Sequence, residues 1–185
     1  HPPQVCVFNV SDENIFQWVR AYLRYHGKIF EVMGLTKDPA CDPIMVFHLG
    51  SGKLSYEQSR RQIEANFTSL PSNHRNWVVL ENDDKVFSAR QVLEICEQLE
   101  VPMVLDYHHH LCRNDGEDIY QLLPRIFATW AKRGRPPKVH ISSPKSDSNF
   151  RAHADYIDAQ AVWPFIKSLL KFPAIDIMVE AKQKD

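Results

Sequence analysis

The stretch VPMVLDYHHHLC, residues 101–112, ends an apolar run with an aspartate and then places three histidines in a row. The apolar run has the length and composition of a buried β-strand. Aspartate and histidine are side chains that bind divalent transition metals. The stretch therefore predicts a strand whose carboxyl end carries metal ligands, and the other apolar runs can be compared with it.

Similar apolar runs recur along the chain and alternate with helical patterns. Strands are predicted at residues 43–48, 76–82, 101–107, 137–142 and 174–181. Helices are predicted at residues 14–34, 56–70, 88–100, 118–134 and 159–172. Continuous apolar strands separated by helices indicate a buried parallel sheet made of repeated βα units. Because no linker or low-complexity tract divides the chain, we expect residues 1–185 to form a single α/β domain.

Every predicted strand carries a metal-binding side chain near its carboxyl end: His48, Glu81, Asp106, His140 and Glu180. A single residue of this kind is more often a hydrogen-bonded structural group, but buried carboxylates without partners are costly, which argues against five separate coincidences. An open sheet would spread these residues along a line, whereas a closed barrel gathers them at one mouth. The pattern favours a (β/α)8 TIM barrel, of which this chain carries the last five βα units, with a multinuclear metal site.

Composition narrows the class of function. The chain of 185 residues is 44% hydrophobic and 24% charged, which is typical of a soluble globular protein. Its net charge of −1 gives no overall attraction to a polyanion, so any nucleic-acid binding must be local. No apolar run reaches the roughly 20 residues that span a bilayer, and no membrane partner is expected. We expect a cytoplasmic, nucleoid-associated protein in a bacterium, or a nuclear or mitochondrial one in a eukaryote.

Seven motifs, taken in order, resemble those of the UV damage endonuclease family, a branch of the endonuclease IV-like and xylose isomerase-like barrels. They are HPPQ, FHLGSGK, VVLENDD, VLDYHHHLC, KVHISS, RAHADYID and MVEAK, and they extend from residue 1 to about residue 182. The pairing of LENDD with DYHHH is the most specific of them. By this resemblance the first strands of the barrel would precede His1, or the chain would be a short member whose barrel is open or completed by a partner.

The resemblance implies a DNA repair enzyme that hydrolyses the phosphodiester 5′ to UV photoproducts or abasic sites in damaged double-stranded DNA. It implies two or three divalent ions, most often Mn²⁺, with Zn²⁺ also compatible with the ligand types, and no organic cofactor. The implied ligand sets are His1, His48 and Glu81 for one ion, Glu81, Asp106, His140 and Glu180 for a second, and His109 and His153 for a third. His109 is expected on a loop after its strand, and His108 and His110 are expected to hydrogen bond around the ligands or to face DNA.

Lys138 is expected to take part in the chemistry together with Glu81, Asp106 and Glu180. It lies two residues before His140, so both side chains should face the barrel interior. In the family the matching lysine is similar to a carboxylated one. Pairing of the unmodified amine with Glu180 or Asp106 is the alternative, and the sequence leaves both open.

DNA contacts are expected from loops at the same mouth. Gln4 matches a glutamine that the family inserts beside the lesion, and Val5 stands where family members usually have an aromatic residue. Lys53, in GSGK, and Arg135, in RGRPPK, are expected to contact phosphates without reading sequence.

Two other functions are compatible with these residues. A metal-dependent sugar isomerase or epimerase uses similar ligands on the same barrel, although His109, His153 and HPPQ have no obvious use with a small sugar. A non-catalytic lesion-binding fragment is the other alternative, which an assay for nicking would distinguish.

Overall fold

The computed structural model describes residues 1–3, 5–37 and 41–183. Its strands are β1 (Met45–His48), β2 (Val78–Glu81), β3 (Met103–Asp106), β4 (Lys138–Ile141), β5 (Pro144–Ser146), β6 (Asn149–His153) and β7 (Asp176–Val179). Its helices are α1 (Glu13–Val32), α2 (Tyr56–Thr68), α3 (Ser72–Arg75), α4 (Ala89–Leu99), α5 (Tyr107–Cys112), α6 (Ile119–Ala128) and α7 (Ala159–Leu169), with a 3-10 turn at Ala131–Arg133.

Five parallel strands form one sheet in the order β1-β2-β3-β4-β7. These are the five predicted strands, and the predicted α/β fold with a parallel sheet is confirmed. The five predicted helices are also present, with their ends shifted by a few residues. The short helices α3 and α5 and the antiparallel hairpin β5–β6 were not predicted.

Local chemistry accounts for where several helices begin. Ser55 and Gln58 form a capping box at the start of α2, and Ser88 and Gln91 form another at the start of α4. The side chain of Asp158 accepts hydrogen bonds from the first turn of α7. These caps satisfy amide groups that have no partner inside the helix.

The two faces of the sheet carry different side chains. On β3, Met103 and Leu105 belong to the main apolar core, which also contains residues of the helices, while Val104 packs with Val79 and Trp130 in a second cluster. Asp106 follows Val104 at a spacing of two and therefore points to the same face. The ligand-type residues thus lie on the face opposite the main core, at the carboxyl ends of the strands.

The residues of β7 are exposed along its whole length, and β7 and β1 form the two edges of the sheet. Among the helices in the described part of the chain, none is at once long enough and apolar enough to cross a membrane.

Candidate metal centre

Glu81 lies at the centre of a cluster of side chains at the carboxyl ends of the strands. Its Oε1 atom is 2.7 Å from Nδ1 of His140, which in turn is 3.1 Å from Oε1 of Glu180. Glu81 ends β2 and is fully buried, and Glu180 directly follows β7. Glu81 on β2 therefore meets residues of β4 and β7, although neither strand is a neighbour of β2 in the sheet.

His1 and His48 approach the other oxygen of Glu81. The Nε2 atoms of His1 and His48 are 3.5 Å and 3.3 Å from Oε2 of Glu81, and Nε2 of His1 is 3.7 Å from Oε1 of Glu180. The two imidazole rings stack with their centroids 5.4 Å apart. The amino-terminal segment is held over this end of the sheet because the amides of Phe8 and Asn9 donate to the carbonyl of Leu49.

Asp106 and His109 form the next part of the cluster. Asp106 is the N-cap of α5, and its Oδ1 atom accepts a hydrogen bond from the amide of His109 at 2.7 Å. Its Oδ2 atom is 3.6 Å from Nδ1 of His109. His109 therefore lies on a helix, and the prediction that a loop carries it was wrong, because the aspartate that ends the strand also caps a helix.

His153 reaches the cluster from the hairpin β5–β6. Its Nδ1 atom is 3.4 Å from Oε2 of Glu180, and its ring centroid is 5.7 Å from that of His109. Arg151 on the same strand contacts Asp84 in the loop after β2 at 2.8 Å. This ion pair ties the hairpin to the sheet and helps to place His153.

The donor set fits divalent cations. Two groups of side chains each offer ligand atoms within 4.8 Å of one another, one formed by His1, Glu81, His140 and Glu180 and the other by His48, Glu81 and His109. Apart from the surrounding imidazoles, no described residue donates a hydrogen bond to the buried oxygens of Glu81, and none donates to Oδ2 of Asp106. Buried carboxylate oxygens without donors are costly unless a cation compensates them. Because Glu81 belongs to both groups, its two oxygens can serve two ions.

The pKa values reflect this mutual proximity. Burial opposes the protonated form of His140, but hydrogen bonds with Glu180 and Glu81 outweigh it and raise the pKa of His140 to about 10. Hydrogen bonds from His1 and His140 hold the pKa of Glu180 far below its ordinary value. Burial raises the pKa of Asp106 to about 7, and burial lowers the pKa of His48. Without metal the cluster thus contains both ionised and protonated groups at neutral pH.

Comparison with protein families connects this arrangement to a known group. The family model described as UV-endonuclease UvdE matches residues 1–185. The chain belongs to the UV-endonuclease UvdE family. The family indicated by the sequence motifs is therefore confirmed.

Individual relatives in the UvdE family are longer than this chain. A UV DNA damage endonuclease of Bacillus cereus (strain ATCC 10987 / NRS 248) is 38% identical over 186 residues, which cover 100% of this chain and 57% of that protein. One from Bacillus thuringiensis subsp. konkukian (strain 97-27) is 37% identical with the same coverage. The crystal structure of SacUVDE matches with a TM-score of 0.86 and 30% identity, over 100% of this chain and 60% of that one. The chain thus spans less than two thirds of the length of these UvdE relatives.

The eight ligands expected from the UvdE resemblance all lie in or beside the cluster, and some of them lie near members of more than one predicted set. They are His1, His48, Glu81, Asp106, His109, His140, His153 and Glu180. His1 lies with His140 and Glu180 as well as near His48, and His109 lies within reach of His48 as well as His153.

Lys138 departs from the prediction. Its amine is 2.5 Å from Oδ2 of Asp176, the residue opposite it on β7, rather than beside Glu180 or Asp106. Both residues begin their strands and therefore lie toward the amino ends. The alternative that the unmodified amine of Lys138 pairs with Glu180 or Asp106 was wrong, because a closer carboxylate stands on the neighbouring strand. Carboxylation of Lys138 stays a prediction.

The residues predicted to contact DNA lie at opposite ends of the sheet. Lys53 is exposed on the loop after β1, at the same end of the sheet as the cluster, and Val5 is 54% exposed in a turn closed by the amide of Cys6 and the carbonyl of Pro3. Arg135 precedes β4 and therefore lies at the opposite end, so its placement at the mouth was wrong. Gln4 lies outside the described residues.

His108 and His110 are buried, which excludes the predicted alternative that they face DNA. Nδ1 of His110 is 3.8 Å from Oε1 of the buried Glu117, and the ring of His108 packs against that of His153 with centroids 5.3 Å apart. Both side chains therefore stabilise α5 and the neighbouring ligands by packing inside the protein.

Two asparagines that support the cluster were missed in the sequence. The carboxamide of Asn82 bonds to the backbone of Asp106, and that of Asn9 bonds to the backbone of Ser51. Gly50 permits the second contact, because a Cβ atom there would lie 1.7 Å from Oδ1 of Asn9. The position of Asn82 directly after Glu81 is the one local signal, and it does not distinguish a support from a turn residue.

Proposed function

We propose that this chain forms the metal-binding part of a UV damage endonuclease that cleaves damaged double-stranded DNA on the 5′ side of the lesion. The observation that carries the proposal is the convergence of imidazoles and carboxylates around Glu81. Membership of the UvdE family supports the reaction class. We further propose that the five parallel strands are the last five of a (β/α)8 barrel, whose mouth is the end that carries the cluster.

The cluster is suited to two or three divalent ions, with Mn²⁺ as our first choice and Zn²⁺ as the alternative. Glu81 would be shared by two ions, one also held by His1, His140 and Glu180, and the other by His48 and His109. Asp106 and His153 would complete the second and third sites. When bound, the ions would supply the positive charge that neutralises a phosphate group and favours ionisation of an attacking water.

The protein side chains orient this site. Glu180 keeps its negative charge because its pKa is strongly lowered, and its oxygens contact His1, His140 and His153. Residues from four parts of the chain are thereby held in one arrangement before any substrate arrives. Such preorganisation reduces the entropy that must be lost when a phosphodiester is positioned for in-line attack.

DNA would lie across the carboxyl ends of the strands. Lys53 is placed to contact a phosphate there. Phe150 on β6 is 39% exposed, and its ring packs on that of His108 with centroids 5.7 Å apart. Because Val5 offers no aromatic face, we propose that Phe150 supplies an apolar surface against which an unpaired base can stack. Gln4 remains a prediction from the sequence.

The test is a nicking assay on UV-irradiated plasmid in the presence of Mn²⁺, with unirradiated plasmid and the variant Glu81→Gln as controls. We expect nicking only of irradiated DNA by the unmodified chain, and cleavage on the 5′ side of a single photoproduct in an oligonucleotide. Lesion binding without nicking would support a non-catalytic fragment instead. Turnover of a ketose without nicking would support a sugar isomerase or epimerase.

A further inference from the structure

The side chain of Asn82 forms hydrogen bonds that link β2 to β3 just after their backbones stop pairing. The last paired residues are Glu81 and Val104. The buried carboxamide of Asn82 accepts a hydrogen bond from the amide of Asp106 at 2.9 Å and donates one to the carbonyl of Asp106 at 2.9 Å. A carboxamide carries the same donor and acceptor as a peptide group, so this side chain replaces the next backbone connection where β2 turns away.

This double contact determines how the carboxylate of Asp106 is presented. With both backbone groups of Asp106 engaged, its Oδ1 atom caps α5 through the amide of His109. Its Oδ2 atom is buried and receives no hydrogen bond from the residues that the structure describes. One oxygen is therefore used to build the helix, and the other is left for a cation.

The backbone of Asn82 contacts the second ligand as well. Its carbonyl oxygen is 3.0 Å from Nδ1 of His109. A carbonyl oxygen can only accept a hydrogen bond, so in neutral His109 this contact requires the proton to be on Nδ1. The lone pair is then on Nε2, which is the usual arrangement when the other nitrogen of a histidine binds a metal.

We propose that Asn82 is a positioning residue that prepares Asp106 and His109 for metal binding. Its carboxamide holds the backbone of Asp106, and its carbonyl selects the tautomer of His109 in which Nε2 is free. The purpose of this arrangement rests on the proposed metal-dependent function. The hydrogen bonds from which we infer it, however, are formed by protein atoms alone. It can therefore be tested without DNA and without activity.

The first test measures the tautomer of His109 by long-range ¹H–¹⁵N NMR on the metal-free chain with labelled histidine. The variant His109→Gln assigns the signal by its disappearance. We expect a protonated Nδ1 and an unprotonated Nε2 in the unmodified chain, and a mixture of tautomers in Asn82→Ala, because the carbonyl is no longer held in place. A protonated Nε2 in the unmodified chain, or an unchanged tautomer in Asn82→Ala, would overturn the proposal.

The second test measures the affinity for Mn²⁺ by calorimetry. We expect Asn82→Ala to bind the ion roughly 10–100-fold more weakly, as is usual when a residue that orients a ligand is lost. Asn82→Asp keeps the size and the acceptor for the amide of Asp106, but it replaces the donor with a charged oxygen that repels the carbonyl of Asp106, and it should also weaken binding. If Asn82→Ala does not fold, Asn82→Asp provides both measurements.

Thr129→Val is the matched control. The hydroxyl of Thr129 accepts from the amide of Met103 at 2.9 Å, so it supports the amino end of the same strand β3. We expect this variant to lose stability but to keep its affinity for Mn²⁺. Equal loss of affinity for Mn²⁺ in both variants would mean that Asn82 acts only as a general structural residue. A loss confined to Asn82 variants would support the positioning role even if no DNA cleavage were found, which separates this test from that of the nuclease function.

Discussion

The Nδ1 atom of His140 lies 2.7 Å from Oε1 of Glu81, although the two residues are on strands that are not paired with each other. Strand β3 runs between them, and neighbouring strands in a sheet are about 4.8 Å apart. The two side chains therefore meet above the end of β3, next to the carboxylate that this strand contributes. This contact defines the centre from which the following predictions are drawn.

Glu81→Gln should remove the centre of the metal site. The carboxamide lacks the negative charge and cannot bridge two ions with two equivalent oxygens. We expect at least one ion fewer per chain by elemental analysis, and more than about a 100-fold loss of nicking, since even a residue that only orients a ligand costs 10–100-fold. Glu97→Gln, an exposed residue that pairs with Arg125, is the control. A full metal complement in Glu81→Gln would contradict the assignment.

Metal binding should release protons and should strengthen as the pH rises. In the metal-free chain the pKa of His140 is raised to about 10 and that of Asp106 to about 7, so protons must leave both groups before they can act as ligands. Protonated His140 stabilises the metal-free fold below the ordinary histidine pKa, and this contribution is lost as the pH rises through 10. Calorimetry in two buffers with different ionisation enthalpies measures the release. Binding without proton release, or weaker binding at higher pH, would contradict the prediction.

Lys53 and Arg135 should differ in their effect on DNA binding. Lys53 is on the loop after β1, at the same end as the cluster, whereas Arg135 precedes β4 at the opposite end. We expect Lys53→Ala to weaken binding and to lower the slope of log affinity against log salt by roughly one. Arg135→Ala should leave both unchanged. The measurement is fluorescence anisotropy with lesion-containing duplex over a range of salt concentrations. Equal effects of the two substitutions would contradict the proposed position of DNA at the end of the sheet that carries the cluster.

Phe150→Ala should weaken binding of lesion-containing DNA more than that of intact DNA. Stacking of a base on an aromatic ring contributes about 1–3 kcal/mol, and an unpaired base is available only at the lesion. Phe150→Tyr should retain most of the affinity because it keeps the ring. Trp163→Ala, which removes an exposed aromatic residue from α7, is the control. The idea fails if intact and damaged duplexes lose affinity equally.

Gly50→Ala should disturb the site through the amino-terminal segment. An added Cβ would lie 1.7 Å from Oδ1 of Asn9, and the φ angle of +151° at Gly50 is one that other residues rarely adopt. Displacing Asn9 would loosen the segment that carries His1. We expect a loss of about 1 kcal/mol or more in the free energy of unfolding, with weaker Mn²⁺ binding. Gly116→Ala, which has a positive φ but open space around it, is the control that separates backbone strain from the collision.

Residue type and periodicity alone were enough to predict the five parallel strands and most of the residues that gather around Glu81. Apolar runs such as the one before Asp106 are local patterns, and the carboxyl ends of parallel strands necessarily share one edge of the sheet. For this reason His48, Glu81, Asp106 and His140 could be predicted as neighbours from the amino-acid sequence. The position of Arg135 at the opposite end follows from strand direction in the same way, because the residue comes before its strand.

The pairing of the polar groups, in contrast, is settled by how the elements pack. The contact of Lys138 with Asp176 and the double hydrogen bond of Asn82 with Asp106 depend on the register between strands, which residue type and periodicity do not specify. The hairpin that carries His153 is likewise held by contacts between distant segments, among them the ion pair between Arg151 and Asp84 and the hydrogen bond from the amide of Lys182 to the carbonyl of Ala154. Such contacts act over a few ångströms between segments far apart in the chain, so they exist only once the tertiary structure has formed.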